Sequence, residues 1–167
     1  FTLRIKAAVT ARPAVETAQP QTLHDLDLDD LRGLRVLVAE DIVVNRQVLA
    51  AICKPLDLHL TMAENGRDAM ESLREGQFDA VLMDLRMPVM DGLEATRRIR
   101  AGEAGERSAE VPIIALTANA MQEHVDASLR AGADAHVAKP VNRAALVAAL
   151  QKVLKSRDKA SGAEELA

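Results

Sequence analysis

Five short apolar runs alternate with five helix-length segments between Leu34 and about Leu154, and this alternation constrains the fold more than any other feature. The runs at 35–39, 59–62, 80–83, 113–116 and 135–138 are short and rich in Val, Ile, Leu and Ala, as buried strands are. The segments near 43–54, 66–75, 92–101, 120–131 and 143–154 carry helix signals. Asn65 stands before the second, Asp91 with Glu94 reads as a capping pair before the third, and Asn119 and Asn142 precede the fourth and fifth. Pro55 closes the first helix, and Gly132 lies just past the fourth. Strands alternating with helices in this way predict a parallel sheet covered on both faces. Five such units predict a doubly wound open α/β sheet, which binds its ligands outside the carboxyl ends of the strands.

Chemistry-bearing residues stand at those ends. Glu40 and Asp41 follow the first strand, Asp84 the third, Thr117 the fourth, and Lys139-Pro140 the fifth. The fold therefore gathers three carboxylates, a hydroxyl and an ammonium on one edge. Two like charges about 4 Å apart cost roughly 4 kcal/mol at an effective dielectric near 20, so three carboxylates call for a cation. An all-oxygen ligand set selects a hard ion such as Mg²⁺. A divalent ion, a lysine and a hydroxyl around one carboxylate suit a phosphoryl group, with Asp84 as a nucleophile forming an aspartyl phosphate.

Composition removes other classes. The 167 residues suit one ordinary domain plus tails. A net charge of −4 argues against a nucleic-acid-binding face, and Phe1 and Phe78 as the only aromatics argue against base-stacking platforms. Cys53 is alone, so neither an intrachain disulfide nor a cysteine metal site can form, and the four histidines show no ligand spacing. No apolar stretch reaches the roughly 18 residues of a membrane span, and no leader pattern is visible. We therefore expect a soluble protein of the reducing cytoplasm, without membrane contact. An opening on Phe1 rather than Met leads us to expect a longer parent chain.

Outside the alternating region, residues 1–5 alternate like a strand, and 10–22 have the Pro-, Ala- and Thr-rich composition of a linker. Residues 23–34 mix Leu with Asp and read as a short helix or a solvated approach. The expected organisation is the end of a preceding domain at 1–9, a linker at 10–33, the α/β domain at 34–155 and a flexible tail at 156–167.

The strand-end motifs VLVAED (36–41), VLMDLRMPVMDG (81–92), IIALTANAM (113–121) and AGADAHVAKP (131–140) occur in an order that resembles the receiver domain of two-component response regulators. The resemblance implies a flavodoxin-like (βα)5 fold with strand order 2-1-3-4-5. It implies that Asp84 accepts a phosphoryl group from a partner phosphohistidine. Asp41 would bind Mg²⁺ directly, Glu40 mostly through water, and the carbonyl of Arg86 would be a further ligand. Lys139 would pair with the phosphoryl oxygens, Thr117 would bond the phosphoryl group once present, and Lys139-Pro140 would be cis. His136 falls at a switch position where the family usually has Tyr or Phe. Phosphorylation would then change the face of the fourth helix, fifth strand and fifth helix. The implied partners are the phosphohistidine domain of a histidine kinase or a histidine phosphotransfer protein. The implied chemistry of the chain itself is self-phosphorylation and self-dephosphorylation.

Plainer readings apply elsewhere. Asp91 reads as a structural cap, Asp79 as a solvated turn residue, and His24, His59 and His124 as surface histidines. Asn45 is either a donor-docking residue or a helix-surface amide. Arg86, two residues past Asp84, is expected to govern access of hydrolytic water. It also occupies the position where a phosphohydrolase of related fold would need a second acid, which disfavours that alternative. A phosphorylation-independent contact module is a further alternative, although every site position is chemically intact. Few residues follow Leu150, so no DNA-binding effector is expected. Residues 1–5 resemble the last strand of a histidine-kinase ATP-binding domain, and the styles EDxxxNRxVL and TANAM look hybrid-kinase-like. The expected parent is thus a hybrid sensor histidine kinase, although this chain holds no nucleotide motif and no kinase histidine helix.

Overall fold

We describe residues 28–118 and 122–164 of a computed structural model. The strand-like 1–5, the linker at 10–22, His24 and the cap Asn119 lie outside the described residues. Strands β1 (Arg35–Ala39), β2 (His59–Ala63), β3 (Ala80–Asp84), β4 (Ile113–Thr117) and β5 (Ala135–Ala138) form one parallel sheet in the order β2-β1-β3-β4-β5. The helices are α1 (Val43–Cys53), α2 (Gly66–Glu75), α3 (Gly92–Arg100), α4 (Gln122–Ala131) and α5 (Arg143–Glu164). The expected flavodoxin-like topology is the one observed.

Alternation along the central strands builds two cores. Leu37, Val81, Met83 and Ile113 pack with Ala69, Met70, Leu73 and Ile99 under α2 and α3. Val36, Val38, Leu82, Ile114 and Leu116 pack with Leu49, Leu146, Val147 and Leu150 under α1 and α5. The period of two in a strand makes this division automatic, because successive side chains leave opposite faces. Both faces of β1, β3 and β4 are covered, so these central strands read as near-continuous apolar runs.

Helix starts follow the expected caps. The Asn65 side chain accepts from the N–H groups of Arg67 and Asp68, Asp91 accepts from Glu94 N–H at 2.8 Å, and Asn142 accepts from Ala145 N–H at 2.8 Å. Pro55 sits in a 3-10 turn (Lys54–Leu56) that ends α1. Gly132, at φ 107°, closes α4: its N–H bonds Leu129 O while Ala133 N–H bonds Ser128 O. Asp79 does more than face solvent, because its carboxylate accepts from Arg35 N–H at 2.8 Å and ties the starts of β1 and β3 together. Helix α5 runs on to Glu164, well past the expected end near Leu154. The polar residues there include Lys155, Arg157 and Lys159, good helix formers with no proline among them, so polarity alone misdirected the sequence reading.

One arginine knits the far edge of the sheet. Arg100, at the end of α3, donates to the carbonyls of Gly132, Ala109 and Val111 and pairs with Asp134 at 2.7 Å. The Asp134 carboxylate also accepts from Ile113 N–H.

Candidate functional site

Strand register brings the predicted residues to one edge. Ala39 pairs with Met83, so Glu40 and Asp41 leave β1 beside Asp84, the last residue of β3. Asp84 pairs with Leu116, which puts Thr117 next to it, and Thr117 pairs with Ala138, one residue before Lys139. This edge flanks the switch point between β1 and β3, where the strand order reverses.

Lys139 Nζ lies 2.5 Å from Glu40 Oε2 and 2.6 Å from Asp84 Oδ2. Glu40 is fully buried and Asp84 nearly so. Oxygens of Glu40, Asp41 and Asp84 all come within 4.8 Å of one another. Two carboxylates thus share one ammonium while a third stands beside them, a net excess of two negative charges. Burial pushes the Glu40 carboxyl up, but hydrogen bonds from Lys139 and Asn45 and the Lys139 charge outweigh it and hold Glu40 below its ordinary range. Asp84 has fewer donors. Burial, with the Glu40 charge adding to it, raises Asp84 above its ordinary value despite Lys139. Burial lowers Lys139, and its two carboxylate partners more than reverse that, so the ammonium is held firmly charged.

Two buried oxygens, Asp41 Oδ1 and Thr117 Oγ1, have no hydrogen-bond partner among the described residues. Buried polar atoms are nearly always satisfied, so both point to a ligand. An all-oxygen donor set with two surplus charges, one oxygen unpartnered, fits a hard divalent cation such as Mg²⁺. Thr117 Oγ1 fits a hydrogen-bond acceptor on a group carried by Asp84.

The loop after β3 shapes the rim. Arg86 N–H donates to Asp84 Oδ1 at 3.2 Å, while the Arg86 side chain is exposed. A hollow of about 460 Å³ opens beside Asp41, lined by Arg86, Met87, Pro88, Asp91 and His124 among others. The His124 side chain is exposed as expected, yet it borders the site. A larger hollow of about 930 Å³ lies near Arg35, Phe78 and Ser108 and contains none of the site carboxylates. Val89 adopts φ 68°, a region β-branched residues avoid, and Met90 N–H closes on Pro88 O at 2.7 Å. Lys139-Pro140 is cis, as expected. His136 stands exposed on β5.

Three features of the site escaped the sequence reading. Asn45 turns inward, its Nδ2 donating to Glu40 Oε1 at 2.9 Å. Arg46 donates to the carbonyl of Glu40 at 3.1 Å and pairs with Glu64 at 3.0 Å. Gly92 lies hard against Asp84. The pattern Glu-Asp followed by Asn-Arg within one turn of a helix start was the available signal for the first two.

A doubly wound parallel sheet with three carboxylates, a buried threonine and a lysine at its switch point defines a phosphoryl-handling signalling domain. Residues 36–151 match the response regulator receiver domain family, and the chain belongs to it. It is a receiver domain of phosphorelay signalling. Among known proteins it is 36% identical over 145 residues to hybrid signal transduction histidine kinase A of Dictyostelium discoideum, covering 84% of this chain and 7% of that protein. It is 36% identical over 124 residues to the sensor protein GacS of Pseudomonas syringae pv. syringae, covering 74% of this chain and 13% of that protein. The chain thus spans only a small part of these curated relatives. Among solved structures it resembles the receiver domain of sensor histidine kinase PA1611 from Pseudomonas aeruginosa PAO1, with 42% identity, a TM-score of 0.67, and coverage of 74% of this chain and 98% of that one. That structure has a magnesium ion coordinated in its active-site cleft. The receiver domain of Saccharomyces cerevisiae Ssk1, crystallised with the histidine phosphotransfer protein Ypd1, is 32% identical at a TM-score of 0.63, covering 70% of this chain and 85% of that one. No described helix is long and apolar enough to cross a membrane.

Proposed function

We propose that Asp84 is the phosphoacceptor of this domain and that a phosphohistidine is its donor. The observation that carries this reading is the pairing of Lys139 with both Asp84 and Glu40 beside the oxygens of Asp41 and Thr117 that have no partner among the described residues. Asp41 and Asp84, with the carbonyl of Arg86, would hold Mg²⁺, and Glu40 would act on it mostly through water. Magnesium, when bound, neutralises charge on the transferring phosphoryl oxygens. A carboxylate oxygen of Asp84 attacks phosphorus in line, a new O–P bond forms, and the N–P bond to the donor imidazole breaks. Lys139 stays charged throughout and pairs with a phosphoryl oxygen. The Thr117 hydroxyl then donates to the group on Asp84.

His136, exposed beside the Thr117 strand, is proposed to follow Thr117 inward and so alter the face formed by α4, β5 and α5. Donor candidates are a histidine kinase and a histidine phosphotransfer protein, in keeping with the relatives above. The domain is proposed to be cytoplasmic and its parent to be a hybrid sensor kinase, either soluble or membrane-anchored, with residues 1–9 closing a preceding domain, 10–33 linking, 34–155 forming the receiver and 156–167 following it.

The test is intact mass after incubation with Mg²⁺ and a small phosphodonor, beside Asp84→Asn. One added phosphoryl group, dependent on Mg²⁺ and absent from the variant, supports the reading. No added mass, together with no beryllofluoride complex, would overturn it in favour of a contact module.

A further inference from the structure

Glu40 has no free oxygen among the described residues. Oε2 accepts from Lys139, and Oε1 accepts from Asn45 Nδ2 at 2.9 Å and from Ile42 N–H at 3.2 Å. The carbonyl of the same residue accepts from Arg46, so two successive residues of α1 grip Glu40 by side chain and backbone. Asn45 is half-buried and its amide is spent inward, not on the helix surface.

We infer that Asn45 is a positioning residue for the divalent cation, acting through Glu40. This inference rests on the metal reading above. A buried carboxylate with two rotatable bonds beyond Cβ can turn its charge toward or away from a neighbouring cation. The Asn45 amide and the Ile42 N–H fix Oε1, and Lys139 fixes Oε2, so the carboxylate plane is set before any ion arrives. Asp41 Oδ1, which has no partner among the described residues, is then left to meet the ion directly. Groups that orient a ligand's neighbours from outside commonly change metal affinity by about 10- to 100-fold when removed. A role confined to docking a phosphodonor would leave the affinity of the isolated chain for Mg²⁺ untouched.

The experiment is calorimetric titration of Mg²⁺ into the 167-residue chain and into Asn45→Ala, Glu40→Ala, the double variant and Asp41→Asn, each checked for folding by far-ultraviolet circular dichroism. Asn45→Ala should weaken Mg²⁺ binding about tenfold. In the Glu40→Ala background the same change should cost nothing further, because a residue acting through another loses its effect when that other is gone. Asn45→Ala binding within twofold of the parent overturns the inference, as does an equal loss in both backgrounds. If the parent binds no Mg²⁺, or Asp41→Asn binds as well as the parent, the metal reading itself fails and this assignment falls with it. The Asp41→Asn arm therefore separates the two failures.

Discussion

A Cβ placed on Gly92 would stand 2.0 Å from the main-chain carbonyl oxygen of Asp84. No side chain fits at that distance, and the obstacle is backbone, which cannot swing aside. The first residue of α3 thus braces the strand end that bears Asp84, the proposed phosphoacceptor. We predict that Gly92→Ala displaces the β3–α3 junction and destabilises the domain by about 1–3 kcal/mol, the usual range for overpacking. Its phosphoryl uptake should fall well beyond what the fraction unfolded explains. Urea unfolding followed by circular dichroism, alongside intact mass, checks both parts.

Arg86 stands exposed at the rim, one residue past a buried one, and borders the hollow beside Asp41. We predict that a charged, hydrated guanidinium there keeps water at the mouth of the site. Replacing it with an apolar chain of similar length, Arg86→Met, should lengthen the lifetime of the phosphorylated form several-fold. The decay of the phosphorylated mass peak after donor removal measures this, and an unchanged decay would remove Arg86 from the account.

Glu40 is held below the ordinary carboxylate range despite its burial, by Lys139 and Asn45. A carboxyl whose folded value is depressed gives stability that is present above its unfolded value and lost as pH falls through the folded one. The chain should therefore lose stability relative to Glu40→Gln as pH drops below about 4, and keep a constant difference near neutrality. Denaturation midpoints of both proteins in chelator across the pH range test the sign. A difference that grows in the opposite sense would contradict the assigned partners.

Arg100 satisfies three carbonyls and one carboxylate from two separate segments, 109–111 and 132–134. Lysine offers charge without the planar fork, so Arg100→Lys should not rescue the site. Both Arg100→Lys and Arg100→Ala should cost about 1–3 kcal/mol, since part-buried acceptors lose their donors. Near-parental stability of the lysine variant would show that charge alone suffices.

Much of the site was legible in the sequence because strand ends in a parallel sheet are collinear with function. Asp84 closes an apolar run, Lys139 closes another, and the fold rule sends both to one edge. The Asn45–Glu40 contact was less accessible, since it depends on the rotation at which α1 docks against β1, which hydrophobic periodicity sets only coarsely. The closeness of Gly92 to Asp84 is a matter of tenths of an ångström in a loop whose path no propensity describes. The length of α5 was misjudged for a different reason. A polar stretch that continues an existing helix needs no core of its own, because elongation from a formed helix is far easier than starting one.

The division of the central strands between two layers has a consequence for how information crosses the molecule. The two sets of buried side chains, one under α2 and α3 and the other under α1 and α5, have no member in common among the described residues. A disturbance in one layer reaches the other through the strand backbones or around the carboxyl edge. At that edge the layers converge, with α1 gripping Glu40 and the start of α3 buttressing Asp84. Phosphorylation of Asp84, as proposed, would address both layers at once, and a partner reading either face would receive the same message.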